Sequence, residues 1–447
     1  MKLSRRWFAI AGLAVLLAGL DAAGATAQMA SPPSDSAVPI ATKNSGQAKP
    51  TQAYTLPPDK LARAIALSRI RNVLDITDSI WGVVVLWLLL VTRAAAALEW
   101  WTQRTASRRW IQGLMFFALF LGITAMADLP LSLIGHHYSR AYGISVQGWG
   151  SWFGDLGKAL GLEIAIGGPI LLLLNWIVRR WPRRYWLGAW AATVPILVLS
   201  IFVEPFFEPI FDKYEPLQQD HPALVQELEK VAARTGTDIP PERMYLMKAS
   251  LKTNGLNAYV AGIGSTKRIV VWDTTAGRIP DDEVLFIFGH ESGHYVLHHI
   301  PKAIACYSVA LFFVYWACAG FAAWMVRRFG KRWGAAEIPS RTGFVVLIFA
   351  VSLAGFLLEP ASNAYSRHFE HQADVYGQEA IYGIVADPQK TAVAAFNALG
   401  EAWLDDPNPN PFIEFWLYNH PSTEHRAEFA MHYDPWKNGG HGEFFKN

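Results

Sequence analysis

The first chemical signal is the run His290-Glu291-Ser292-Gly293-His294. On an α-helix, positions i and i+4 share one face, so both imidazoles can bind a single metal ion. Glu291 sits beside them, where it can take a proton from a water that such an ion has activated. Catalytic zinc takes three protein ligands and keeps a fourth position open. The zinc class with a third histidine six residues past the second is excluded, because Leu297 and Ile300 stand where Gly and His are required. The third ligand must come from elsewhere in the chain. The best source is Ser366-Arg367-His368-Phe369-Glu370-His371-Gln372-Ala373-Asp374, where Glu370 and Asp374 are again i and i+4. Glu370 can reach the metal, and Asp374 can accept a hydrogen bond from a ligand histidine and fix its tautomer. His368, His371 and Glu359 are the rivals. The two histidines fall on other faces, and Glu359 lies nearer the lipid end.

These residues need a scaffold. Pro280 opens a helix that carries Asp281, Asp282 and Glu283 in its first turn, where the helix dipole favours negative charge. That helix runs on through 284–298 and holds both histidines. Gly293 costs it about 1 kcal/mol of propensity relative to Ala, which fits close packing against another backbone. A helix is expected over 221–235 with Gly236 as its stop. Short strands are expected at 243–248, 257–261 and 268–273. The polar part therefore reads as a small α/β domain.

Most of the chain is built for lipid. Of 447 residues, 52% are hydrophobic and only 17% charged, against about a quarter charged in soluble proteins. The 39 Lys+Arg against 37 Asp+Glu leave no basic field for nucleic acid. The 19 Trp, 15 Tyr and 25 Phe suit membrane interfaces. Six apolar stretches, at 76–98, 110–134, 156–178, 186–203, 303–326 and 343–358, read as membrane helices. Residues 1–27 read as a signal peptide cleaved after Ala27, or as an uncleaved first membrane helix. Residues 28–75 read as a linker and amphipathic segment. Four membrane helices then fill 76–203, a metalloprotease domain 204–302, two more helices 303–358, and the rest of that domain 359–447.

Basic residues cluster in three loops: Arg93, Arg104, Arg108 and Arg109; Arg179, Arg180, Arg183 and Arg184; and Arg327, Arg328, Lys331, Arg332 and Arg341. All three can lie on the cytoplasmic side of a bacterial inner membrane, which puts the metal motif on the periplasmic side. Cys306 and Cys318, about 18 Å apart along one helix, are expected to be packing residues without a mutual disulfide. His136-His137 are expected in a connecting loop as interface polar residues.

Three ordered blocks resemble the type I CAAX prenyl endopeptidases, multi-spanning membrane zinc metalloproteases. One runs from Asn257-Ala258-Tyr259-Val260 through Arg268-Ile269-Val270-Val271-Trp272-Asp273-Thr274 to the 290–294 motif. The second is 366–374. The third is His420-Pro421 with Arg426 six residues later. The resemblance spans about residues 55–435. It implies a mainly α, multi-spanning bundle that forms a chamber, with a small zincin-like α/β domain. It implies His290, His294 and Glu370 as ligands of one zinc ion, and Glu291 as acid/base. Asp374 matches an acidic residue behind the ligands or a proton donor. His420 matches an oxyanion stabiliser, with Arg426 supporting it at the substrate. Asn257 matches a residue that holds the substrate backbone along an edge strand. Two positions depart from the pattern: Ser292 replaces the usual Leu, and His425 replaces a Glu that would support Arg426. The expected activity is peptide-bond hydrolysis of a peptide or protein substrate, lipidated or not, in a lipid bilayer. A membrane quality-control protease with the same site, and a transporter or channel with a structural metal, are the alternatives.

Overall fold

The structure, a computed structural model, describes residues 52–262 and 264–446. The expected leader at 1–27 and the first part of the expected linker lie outside the described residues. In chain order the principal elements are α1 (Pro58–Val91), α2 (Ala94–Thr105), α3 (Arg109–Ala141), α4 (Trp149–Arg180) and α5 (Tyr185–Phe211). A polar stretch follows with β1 (Tyr214–Pro216), α6 (Pro222–Thr235), β2 (Met244–Met247), β3 (Ala258–Ala261), β4 (Arg268–Trp272) and α7 (Asp281–Val296). The chain ends with α8 (His299–Trp333), α9 (Arg341–Ala380), α10 (Pro388–Trp403), α11 (Pro411–Leu417) and α12 (Thr423–His432).

Six of these helices, α1, α3, α4, α5, α8 and α9, are long and apolar enough to cross a membrane. They match the six expected stretches, but not their limits. The first stretch, 76–98, is two elements. Arg93 takes the left-handed conformation, φ 62°, and breaks the helix between Val91 and Ala94. Its guanidinium donates to the carbonyls of Arg332 and Lys331 at 2.8 and 2.9 Å, so it caps the end of α8, where a cation is favoured. Upstream, α1 is already helical from Pro58, so the expected amphipathic segment and the first span form one helix. The last stretch, 343–358, is only the start of α9. That helix continues through Pro360 for 40 residues, about 60 Å. His136 and His137 lie inside α3 rather than in a loop, and His136 stacks on Trp152 with 5.0 Å between ring centroids. Cys318 is buried, but Cys306 is exposed and does not pack in the interior.

The basic loops meet at one end of the bundle. Besides the Arg93 contacts, Arg341 donates to the Arg109 carbonyl at 3.0 Å, and Glu99 accepts from the Arg341 and Thr342 backbone. The Arg179 charge also acts on Arg341.

At the other end lies a four-stranded sheet in the order β1-β2-β4-β3. The β2–β4 pair is parallel and the other two pairs are antiparallel, so β3 is an edge. The three strands read from the sequence are present; β1, only three residues long, was not expected. Helix α6 ends at Gly236, which takes φ 68° as its cap. One apolar core joins the sheet, α6, α7, α10 and the end of α9; a second fills the membrane bundle.

Helices α7 and α9 cross along a seam of glycines. A Cβ at Gly377 would stand 2.8 Å from the His290 backbone nitrogen, and one at Gly289 would stand 3.1 Å from the Gly377 carbonyl oxygen. Gly293 faces a side chain rather than a backbone: its Cβ would lie 2.9 Å from the Tyr376 Cβ. This close approach lays the 370–374 turn of α9 over the histidines of α7.

Candidate metal centre

His290, His294 and Glu370 offer ligand atoms that lie within 4.8 Å of one another, and all three residues are buried. The His290 and His294 Nε2 atoms are 3.2 Å apart. Glu370 Oε2 is 3.3 Å from His290 Nε2, and Oε1 is 3.5 Å from His294 Nε2. A tetrahedral ion with bonds of about 2.0–2.1 Å holds its donors roughly 3.3–3.4 Å apart. The group has that spacing. Glu370 is 1% exposed, yet neither carboxylate oxygen makes a hydrogen bond. Two buried, unsatisfied oxygens facing two imidazoles are costly without a cation and natural with one. The donor set therefore fits a metal ion. His368, His371 and Glu359 are not in this group.

The surroundings prepare these ligands. Asp374 Oδ1 lies 2.8 Å from His290 Nδ1, which leaves Nε2 pointing at the shared site. Burial alone would depress His290, but the nearby carboxylates of Asp374 and Glu370 raise it to about 9. His294 is pushed down to about 3, mainly by burial. Glu291 is raised to about 7, chiefly by burial, with the neighbouring His290 pulling it back.

Arg426 grips Asp374 with two hydrogen bonds, Nε to Oδ2 at 2.9 Å and Nη2 to Oδ1 at 2.6 Å. Its guanidinium also lies over the Phe396 ring at 4.6 Å. The guanidinium is thus engaged with Asp374. His425, the departure from the family pattern, bonds Glu414 at 3.0 Å and takes no part in holding Arg426. His420 Nε2 lies 3.3 Å from Glu370 Oε2, and its Nδ1 lies 2.8 Å from Asn419 Oδ1. Burial lowers its pKa, so the neutral ring is favoured. Asn257 is buried at the head of β3. Its backbone is locked to Thr275, which donates to the Asn257 carbonyl and accepts from its N–H, both at 2.8 Å. Its side-chain amide makes no hydrogen bond among the described residues, leaving it available beside the edge strand.

The sequence reading missed His299, Gln372 and Asn419. The only trace of them was a histidine five residues past His294 and an amide just before His420-Pro421.

Residues 218–434 match Peptidase family M48, and residues 42–213 match the CAAX prenyl protease N-terminal region of five membrane helices. An uncharacterized metalloprotease of Bacillus subtilis, YhfN, is 32% identical over 438 residues, 95% of this chain and 96% of its own. CAAX prenyl protease 1 of Saccharomyces cerevisiae is 28% identical over 70% of this chain and 71% of its own. The human CAAX prenyl protease 1 homolog is 25% identical over 71% and 73%. The crystal structure of S. mikatae Ste24p shares the fold with a TM-score of 0.71 at 22% identity, covering 84% of this chain and 89% of that one.

The molecule is thus a multi-spanning membrane metalloendopeptidase, and the transporter or channel alternative is set aside. The chain belongs to peptidase family M48, in its CAAX prenyl protease branch.

Proposed function

We propose that His290, His294 and Glu370 hold one zinc ion and that the protein cleaves peptide bonds with a water activated there. The observation that carries this is the set of donor separations, 3.2–3.5 Å, around a buried carboxylate with no hydrogen bond. Two imidazoles and one carboxylate suit zinc. When bound, zinc supplies Lewis acidity, polarising the scissile carbonyl and making a water acidic near neutral pH.

The remaining work falls to the chain's own side chains. Glu291, raised to about 7, takes a proton from water and returns one to the leaving amine. Asp374, held by Arg426, keeps the His290 proton on Nδ1. His420 faces the site as a donor to the oxyanion. With Asn419 Oδ1 on its Nδ1, donation from Nε2 requires either the imidazolium or an Asn419 amide turned to present its NH2. The substrate lies extended along β3, where main-chain hydrogen bonds and the free Asn257 amide receive it.

The substrate class follows the named relatives, CAAX prenyl proteases, with envelope or membrane quality control as the second reading. That second reading draws on the placement of the site. With the basic loops in the cytoplasm of a bacterial inner membrane, the metal end faces the periplasm. Purified wild type should contain one zinc per chain and cleave peptide. Glu291→Gln should keep the zinc and lose about 10²–10⁴-fold in rate; near-normal turnover in that variant would overturn the assignment. A prenylated peptide cleaved no better than its unmodified twin would favour quality control. A reporter fused at Asn447 should behave as periplasmic.

A further inference from the structure

We propose that His299 and Gln372 form an uncharged relay that sets the tautomer of His294, the counterpart of what Asp374 does for His290. The inference rests on the metal reading of the site. The two ligand histidines are backed differently. His290 Nδ1 meets a carboxylate at 2.8 Å. His294 Nδ1 instead lies 3.0 Å from His299 Nδ1, and His299 Nε2 lies 3.1 Å from Gln372 Oε1.

Valence fixes the direction of this chain. An amide oxygen only accepts, so His299 Nε2 carries the proton. Neutral His299 then has a lone pair at Nδ1, and His294 Nδ1 must donate to it. That leaves the Nε2 of His294 bare, facing His290 and Glu370. The reverse order fails. A Gln372 turned to present its NH2 would move the His299 proton to Nδ1 and force a proton onto His294 Nε2, where a metal must bind. One amide therefore selects the form of a ligand two residues removed from it in the hydrogen-bond chain.

The relay is held rigidly. His299 is fully buried and stacks on Phe369 with 4.3 Å between centroids and 8° between planes. Phe369 and Gln372 flank Glu370 on α9, so one helical turn supplies a ligand and orders another. An uncharged pair also suits a site that already holds the carboxylates of Glu291, Glu370 and Asp374.

The test is zinc affinity of the full-length purified protein, read by competition with a chromophoric chelator at one fixed pH. His299→Phe keeps the stack on Phe369 but removes the acceptor, and should bind zinc 10–100-fold more weakly, roughly what losing an outer-shell partner costs. His299→Asn places an amide oxygen about where Nδ1 stood, and should stay within about threefold of wild type. Gln372→Met frees the His299 proton and should weaken binding by roughly 3–10-fold; it carries the test alone if the Phe variant does not fold. Wild-type affinity in both His299→Phe and Gln372→Met, or a loss in His299→Asn as large as in His299→Phe, would overturn the relay. A wild type that binds no zinc would overturn the metal reading itself, which its own titration reveals.

Discussion

His290 is the residue through which pH acts on the metal. In the metal-free site its proton is held up to about pH 9, because Asp374 and Glu370 outweigh the cost of burial. A metal ion bound at Nε2 must displace that proton, so zinc affinity should rise about tenfold per pH unit from 6 to 8 and level off above 9. Calorimetry at pH 7 in two buffers of different ionisation enthalpy should report close to one proton released per zinc; no release would contradict the pairing. Arg426 makes a second case. Arg426→Met leaves Asp374, 3% exposed, without its bidentate partner. Removing one member of such a pair costs about 3 kcal/mol, which a thermal melt should register as a clear fall in Tm. His290 retains its contact to Asp374, so zinc binding should weaken rather than vanish.

Among the elements, the glycine seam between α7 and α9 carries the strictest demand. Gly377→Ala places a Cβ 2.8 Å from the His290 nitrogen, and backbone cannot rotate away as a side chain can. We expect a loss of about 1–3 kcal/mol, and zinc occupancy well below that of wild type by metal analysis. Gly157→Ala in α4, with nothing within 4 Å of the new Cβ, should leave both unchanged. The sequence announced the elements whose signal is local. Apolar length marked six spans, Gly236 marked the end of α6, and the 290–294 and 370–374 spacings marked both faces of the metal group. What escaped was set by distant contacts. Arg93 breaks a helix because carbonyls of α8 await its guanidinium. The His299–Gln372 pair spans 73 residues and leaves no periodic trace.

In the whole molecule, both ends of the described chain are fastened to the metal-bearing part. Glu424 accepts from the Ala53 and Tyr54 backbone at 3.2 and 2.5 Å. Glu379, fully buried, accepts from the N–H groups of Glu443, Phe444 and Phe445 at 2.6–2.9 Å. Glu379→Ala strands these amides and should cost about 2 kcal/mol, with the tail past Gly442 becoming a site of rapid proteolysis. Alongside these fastenings, the glycine seam has a kinetic consequence. Helices that touch backbone to backbone cannot slide or spread, so the three donors travel as one jaw. Whatever gap admits a polypeptide must open on the opposing side, along β3 or the segment bearing His420. An ion held by all three donors would leave only when this packing loosens. Exchange with labelled zinc should therefore run far slower than turnover, at a half-life that tracks denaturant and not substrate.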